Sequence, residues 1–582
     1  MSTGGCLLLL GALCLVPACG GETSSGVEVR RTPADGAWFV DRTAETGLDF
    51  VHFNGMSGEF YYPEMFAPGV GLIDVDGDGD LDVYVVQGQM LGDRPAADAT
   101  IAPRGALGDR LFRNDLVVSA DGTRTLRFTD VTAASGIDAR GYGMGVAAGD
   151  FDNDGAVDIY RTGFGRSTLL RNNGDGTFTE VTAASGTANE GAWGVSAAFV
   201  DFDRDGWLDL FVGNYVDYRI DRDVGCFDVT GRRDYCPPHK FPPQRDRLYR
   251  SRGDGTFEDV TARALSGGAH GPALGVSTAD FDGDGWIDIY VGNDGQPNQL
   301  WMNQRNGTFA EMAFVSGAAV NGSGSAEASM GTDAGDYDND GDEDLFITNW
   351  LSQMNILYAN LGGAVFQDRK AASGLGSPSL AKTGFGAAWF DYDNDGWLDL
   401  LAANGGVAAN HEQTRARNPF PYRMTKDLYR NDGGRRFVHV SAQAGAPFAA
   451  MHVGRGAAFG DVDNDGDPDV VIGNDAGPLE LLVNTIGQRN HWIGLRLVGA
   501  DGRRDMLGAR VTIARSDGVT LHRRARADGS YASANDPRVL AGLGNTATAP
   551  RVRVHWPDGA IEDIGEVAID RWNTVRQGRT RP

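Results

Sequence analysis

Seven short apolar runs punctuate the chain: LDVYVV (81–86), VDIYRT (157–162), LDLFVG (208–213), IDIYVG (287–292), EDLFIT (343–348), LDLLAA (398–403) and PDVVIG (468–473). Each is β-branched and aromatic and too short for a helix, which predicts strands. A second apolar mark runs out of phase: FVDRTAETG at Phe39, FTDVTAASG at Phe128, FTEVTAASG at Phe178 and FEDVTARAL at Phe257, with weaker copies at Phe309, Phe366 and Phe437. Ahead of several of these lies a hairpin signal, as in LLRNNGDGTF (169–178), LYRSRGDGTF (248–257) and LYRNDGGRRF (428–437). Asn-Gly and Asp-Gly between strand-like segments mark tight hairpins. The acidic motif opening each unit recurs after 76, 51, 79, 56, 55 and 70 residues. A base period of 51–56, broken by three insertions of about 20 residues, is a propeller blade length. The reading is an all-β, seven-bladed β-propeller over 37–485. Its strand from Phe39 precedes the first acidic motif, so it is expected to complete the last blade and latch the ring.

The polar counterpart of each run is Asp-x-Asp-x-Asp-Gly-x-x-Asp. Its seven copies hold Asp74, Asp76, Asp78 and Asp82; Asp150, Asp152, Asp154 and Asp158; Asp201, Asp203, Asp205 and Asp209; Asp280, Asp282, Asp284 and Asp288; Asp336, Asp338, Asp340 and Asp344; Asp391, Asp393, Asp395 and Asp399; and Asp461, Asp463, Asp465 and Asp469. Four carboxylates in nine residues repel unless a cation sits among them. Hard oxygens at alternating positions, with Gly for the sharp turn, suit Ca²⁺. An EF-hand would need a bidentate Glu at position 12, where this chain has Val85, Arg161, Val212, Val291, Ile347, Ala402 and Ile472. The expectation is about seven Ca²⁺ in loops between strands, ligated by side chains at positions 1, 3, 5 and 9 and a backbone carbonyl at 7.

These loops and the N-x-G-D-G-T-F segments resemble the FG-GAP (integrin-type, VCBS-like) propeller repeat. The tail, with NHWIGLRLVG (490–499), LGARVTI (507–513), GSYASANDPRVLAGLG (529–544) and VRVHWPDG (552–559), resembles the ASPIC/UnbV domain. Together they resemble the secreted proteins related to cartilage acidic protein 1, as does the segment at 61–88. The resemblance implies an integrin-type ring with Ca²⁺ loops, followed by a small β-sandwich-like domain over 490–578.

Charge divides along the same boundary. The chain has 52 basic and 79 acidic residues, net −27; from Ile486 onward 16 Arg, no Lys and 10 acidic residues give +6, leaving about −33 for the rest. So acidic a ring argues against nucleic-acid binding. The Arg-rich tail could face an acidic partner, a lipid head group or the propeller, or simply be solvated. Having no Asp-rich loop, the tail is expected to respond less than the ring to metal removal.

Residues 1–18 read as a signal peptide with a short apolar core, LLLLGALCLVPA (7–18), and 19–36 as a flexible tether. Val16-Pro17-Ala18-Cys19 resembles a bacterial lipobox with Cys19 lipidated, although Val16-x-Ala18 also fits ordinary signal-peptidase cleavage. An exported bacterial lipoprotein, or a secreted protein, is expected, with membrane contact only through the lipid. Past the signal region only Cys226 and Cys236 remain, and an isolated pair in an exported protein reads as a disulfide.

No H-E-x-x-H, G-x-S-x-G or Walker motif occurs, and no two His stand at metal-ligand spacing. Recognition is sought instead in the insertions, since loops on a rigid ring carry it. Phe60, Tyr61, Tyr62 and Glu64 lie in the pre-blade segment Phe50–Pro68, Tyr235 and His239 in the disulfide insertion 215–247, and His411 and Tyr422 in the insertion 405–427. Aromatics among polar groups suit protein or glycan contact, unless they pack their own loops. The leading function is a calcium-binding surface protein mediating recognition or adhesion. The alternatives are an enzyme or accessory factor of secondary metabolism, as the UnbV name implies, and a purely structural protein.

Overall fold

A computed structural model describes residues 36–579 except 229, 230 and 419. The signal region, most of the tether and Cys19 lie outside the described residues. Residues from Ala37 onward form one compact unit.

Seven four-stranded antiparallel sheets follow one another along the chain. In the second, Gly143–Gly149, Asp158–Gly163, Thr168–Asn172 and Phe178–Glu180 pair in order. Each predicted run forms a second strand, and each Phe mark opens a fourth. The seventh sheet takes its fourth strand from Phe39–Asp41, which pairs antiparallel with Glu480–Asn484. First strands touch first strands all the way round, and Gly454–Gly460 meets Val70–Ile73 to close the ring. The fold is thus an all-β seven-bladed propeller latched by its N-terminal strand. Among the described residues, no helix is long and apolar enough to cross a membrane.

The first strands crowd the axis, and this explains their composition. Five residues before the first Asp of each motif stands Gly69, Gly145, Ser196, Gly275, Gly331, Gly386 or Gly456. A Cβ on Gly331 would lie 2.1 Å from the Phe385 carbonyl oxygen, and one on Gly145 2.4 Å from that of Val195. Each of these contacts is with the next blade's first strand, so at the six glycines the ring closes only because no side chain is present; the third blade has Ser196, whose hydroxyl donates to the Leu274 carbonyl of the next blade.

The tail forms two small sheets. Val539–Gly544, His491–Val498 and Trp572–Arg576 make one; Thr520–Arg524, Arg510–Ala514, Arg551–His555 and Ile561–Glu566 make the other. Ile493, Leu495, Val511, Ile513, Leu543 and Val554 are part of a common core. Between the sheets, residues 528–535 leave the sandwich and enter the ring's centre. There they bond every blade: Leu72 N–H donates to the Ala534 carbonyl (3.0 Å), Val146 N–H to that of Ala532 (3.1 Å) and Thr332 N–H to that of Ser530 (2.9 Å). Ala532 N–H donates to Ser196 Oγ (3.0 Å), Thr278 N–H to Asp528 (2.5 Å), Ala387 N–H to Ser530 Oγ (3.1 Å) and Phe459 N–H to Asn535 Oδ1 (3.0 Å). Tyr531, fully buried, donates to the Phe66 carbonyl at 2.9 Å.

The ring centre is therefore filled by the protein's own GSYASAN segment. On the far face the three insertions and the segment before the first blade fold over the axis, held in part by the Cys226–Cys236 disulfide.

Candidate metal centres

Each acidic motif is the loop joining the first and second strands of its blade, so all seven loops lie on one face of the ring. Fixed backbone bonds shape them. The first Asp accepts from the Gly N–H at position 6, as in Asp150–Gly155 (2.9 Å) and Asp391–Gly396 (2.8 Å). The fifth accepts from the N–H at position 7, as in Asp284–Trp286 (2.7 Å) and Asp395–Trp397 (2.9 Å). The ninth accepts through one oxygen from the third strand's end, as in Asp158–Asn172 (2.8 Å) and Asp469–Asn484 (2.7 Å). Position 4 has a positive φ in every loop, from 54° at Asn394 to 75° at Gly77, which Gly and Asn tolerate best.

Carboxylate oxygens converge in these turns. One oxygen each from Asp150, Asp152 and Asp158 lie within 4.8 Å of one another, and the same holds for 201/203/209, 280/282/288 and 336/338/344; in the first loop the set is Asp74, Asp76 and Asp78. Oxygens so spaced can share one cation at about 2.4 Å, the Ca²⁺–oxygen distance. Among the described residues, Oδ1 of Asp152, Asp201, Asp280, Asp338 and Asp463 is buried with no hydrogen-bond partner. A buried anionic oxygen without a donor is costly, and a cation removes the cost. The donor set is therefore hard, anionic and short of positive charge.

The electrostatics agree. Burial pushes the carboxyls of Asp82 and Asp288 up to about 8, and those of Asp158, Asp209, Asp344 and Asp469 well above the ordinary range. First-position Asp74, Asp201 and Asp280 rise to about 6 and Asp150, Asp336 and Asp391 to about 7, mainly through burial, with neighbouring loop carboxylates adding to it. In three loops a guanidinium already approaches the ligand positions, in the first through Arg496, 3.8 Å from Asp74. Arg250 pairs with Asp203 and, at 2.9 Å, with Asp205; Arg305 pairs with Asp284.

The loops are also tied to one another. Asn153 donates to the Gly206 carbonyl of the next loop (3.0 Å), Asn339 to Gly396 (3.2 Å), Asn394 to Gly466 (2.8 Å) and Asn464 to Gly79 (3.3 Å), while Arg204 reaches Gly285. A second tie comes from the Asn ending the third strand. Its side chain donates to the second-position carbonyl of the preceding blade's loop, as Asn172 does to Val75 (2.7 Å) and Asn431 to Tyr337 (2.8 Å). Six blades have this Asn; the third has Ser251. Sequence reasoning assigned these Asn to hairpins. Their recurrence in L-x-x-N was visible, but their partners lie in another repeat.

The tail covers this face, which settles where its arginines point. Arg538 donates to the Gly79 and Asp461 carbonyls (both 3.1 Å) and to Asn464 Oδ1 (2.9 Å). Arg504 spans loops two and three through Asn153 Oδ1 (2.9 Å) and the Gly206 carbonyl. Arg510 pairs with Asp280 at 2.5 Å. Arg523 spans loops five and six through Asn339 Oδ1 (3.2 Å) and the Gly396 carbonyl (3.0 Å), and Arg515 adds the Asp395 carbonyl (3.1 Å). Five arginines thus touch all seven loops. Except at Asp280 they use backbone carbonyls and Asn side chains, so they read the shape of a loop and leave its carboxylates facing inward.

The insertion residues fare differently. Tyr62, Glu64, Tyr235 and Tyr422 are buried, Phe60 and Tyr61 are half-buried, and only His239 and His411 are exposed. Phe60 packs edge-on against Tyr235 with ring centroids 5.2 Å apart, and Tyr235 donates to Glu64 at 2.8 Å. Burial raises the Glu64 carboxyl to about 8. These side chains pack the cap over the axis.

The repeats match a family model for FG-GAP-like repeats at residues 150–212, 241–291, 280–347 and 336–402, and the tail matches one for ASPIC and UnbV at 499–582. The chain carries FG-GAP-like repeats and an ASPIC/UnbV domain. It is 27% identical to Cartilage acidic protein 1 of Mus musculus over 535 residues, 88% of this chain and 74% of that protein. The Homo sapiens protein of that name is also 27% identical, over 540 residues, 88% of this chain and 72% of its own length. Among solved structures, an Agrocybe aegerita lectin recognising non-reducing terminal N-acetylglucosamine aligns with a TM-score of 0.35 and 17% identity, covering 63% of this chain and 77% of its own. YCF48 bound to D1 peptide aligns with a TM-score of 0.38 and 8% identity, over 78% and 96%. The first and last acidic loops, at Asp74 and Asp461, lie outside the matched FG-GAP-like spans yet share the same local geometry.

Proposed function

We propose that the chain is an exported, calcium-loaded recognition protein whose partner is another protein or a glycan. The observation that carries the calcium reading is the set of buried, donorless carboxylate oxygens at position 1 or 3 of five aspartate loops. Side chains at positions 1, 3 and 9 would hold the ion in the loops at 150, 201, 280 and 336, and those at positions 1, 3 and 5 in the first loop. Bound calcium would offset half the charge of each loop's four carboxylates and lock its turn, and the chain's own residues do the rest. The Asn ties space the loops, and the arginines clamp the tail to their carbonyls.

Elemental analysis of the purified full chain should approach seven calcium per molecule. Two or fewer, with calcium in the buffer, would refute the seven-site reading.

Recognition is assigned to the face bearing the insertions, because the tail covers the other. Exposed side chains there include His239, His411 and Phe227, the last 66% exposed. Export rests on the apolar leader and the Val16–Cys19 sequence. If Cys19 carries lipid, Cys19→Ala should move the protein out of the membrane fraction or block its processing. Unchanged processing and fractionation would favour ordinary cleavage.

A further inference from the structure

Of the cavities along the seam between ring and tail, one has about 130 Å³ and the two larger have about 350 and 360 Å³. Both fall within the size range of small-molecule sites, about 300–1,000 Å³. They differ in what their walls offer. In the larger, Arg496 is on Asp505 at 2.9 Å and Arg538 is taken up by Asp536 and the loop carbonyls, so the cations are already engaged.

The other lies between the third and fourth acidic loops and the tail's Trp556–Gly559 turn. Trp556 lines it, only 2% exposed, and its indole N–H has no hydrogen-bond partner among the described residues. Buried donors are almost always paired, so an orphan within the cleft wall calls for an acceptor. Arg510 lines the same space, with one guanidinium nitrogen on Asp280 at 2.5 Å and the rest of the fork unassigned. Arg524 stands at the wall, held to Glu343 and Asp528 only at 3.4 and 3.8 Å. Leu507 and Pro557 supply apolar wall, and Ile561, 60% exposed, extends it to the rim.

We propose that this cleft binds a small organic anion: its charged end on Trp556 Nε1 and the Arg510 fork, its apolar body along Leu507, Pro557 and Ile561. The proposal rests on the calcium reading, because Asp201 and Asp284 line the cleft and would repel an anion if their loops held no cation; the third acidic liner, Asp528, accepts from the Thr278 N–H at 2.5 Å and faces Arg524 at 3.8 Å. A carboxylate and a phosphate monoester offer the same acceptor chemistry here.

The test uses the full chain with its calcium counted beforehand, so that failure of binding is separable from failure to load metal. Benzoate, phenyl phosphate and neutral benzyl alcohol are titrated by calorimetry and ligand-observed NMR. At least one of the two anions should bind with a Kd of about 1 mM or tighter, and benzyl alcohol at least about tenfold more weakly. The preferred anion separates a carboxylate site from a phosphate site. Trp556→Phe and Arg510→Gln should each weaken it about tenfold, a charge-assisted hydrogen bond's worth. Arg551→Gln, on an exposed strand of the same sheet, should leave it unchanged. If Trp556→Phe proves unstable by melting, Arg510→Gln carries the test alone. The proposal is overturned if calcium-loaded protein binds neither anion, if benzyl alcohol binds as well, or if Arg510→Gln leaves the affinity intact.

Discussion

Tyr531→Ala should destabilise the whole ring, although residue 531 belongs to the tail. The side chain is fully buried at the axis, meets Phe385 edge-on at 4.9 Å and donates to the Phe66 carbonyl. Truncating a buried aromatic costs about 3–5 kcal/mol. The loss falls where seven first strands converge on one short segment, so no single blade can relax into the void. Tyr531→Phe keeps the ring and removes only the hydrogen bond, a loss of about 1 kcal/mol, with an added penalty for the buried carbonyl left behind. Gly331→Ala should be at least as damaging as Tyr531→Ala, because its Cβ would sit 2.1 Å from a backbone oxygen of the next blade. In urea melts Gly331→Ala should have a midpoint at or below that of Tyr531→Ala, and Tyr531→Phe should lie nearest the wild type. A Tyr531→Ala protein whose midpoint matches the wild type would show that the plug is passive.

The strands, the latch and the acidic loops could be read from the chain because each depends on contacts within one repeat or on a repeat's period. The glycine five residues ahead of the first Asp in six of the seven motifs was equally periodic, but its meaning lies in the approach of a neighbouring blade. Likewise Asn172 and Asn431 look like hairpin residues until the carbonyls of Val75 and Tyr337 are seen beside them. The tail's +6 charge was plain, yet charge alone left a partner, a lipid and the ring as equal candidates. Choosing among them needed the sandwich's face, which places Arg504, Arg515, Arg523 and Arg538 over loop carbonyls. For Tyr62, Tyr235 and Tyr422 the sequence left partner contact and packing of their own loops both open, because insertions carry no periodicity that separates the two. Here the insertions lie over the axis, and their aromatics meet one another instead of solvent.

Stripping calcium should lower the stability of ring and tail together, and this reverses the expectation that the tail would be spared. A ligand that binds only the folded state adds about 2.7 kcal/mol per independent site at a hundredfold excess over Kd. Several such sites in one ring exceed the roughly 5–15 kcal/mol of an ordinary domain. The tail follows because its arginines bond the carbonyls that the metal would hold in place.

The pH dependence should change sign with the metal. Without calcium, first- and ninth-position carboxyls such as Asp74, Asp150, Asp82 and Asp288 hold their protons up to about 6, 7, 8 and 8. The unfolded chain releases them near 3.9. Groups raised in this way stabilise the fold fully below about pH 4, and that contribution is lost as pH rises through 6–8. Chelated protein should therefore melt lower at pH 8 than at pH 5. Calcium binds only the deprotonated oxygens, so loaded protein should gain stability over the same interval.

The most direct test is calorimetry of the full chain at pH 7.5, with and without chelator, calcium counted in both samples. The expected result is a transition that includes the tail and falls by about 10 °C or more when calcium is removed. Coincident melts of loaded and verified calcium-free protein, or a tail transition that stays in place while the ring's collapses, would contradict it.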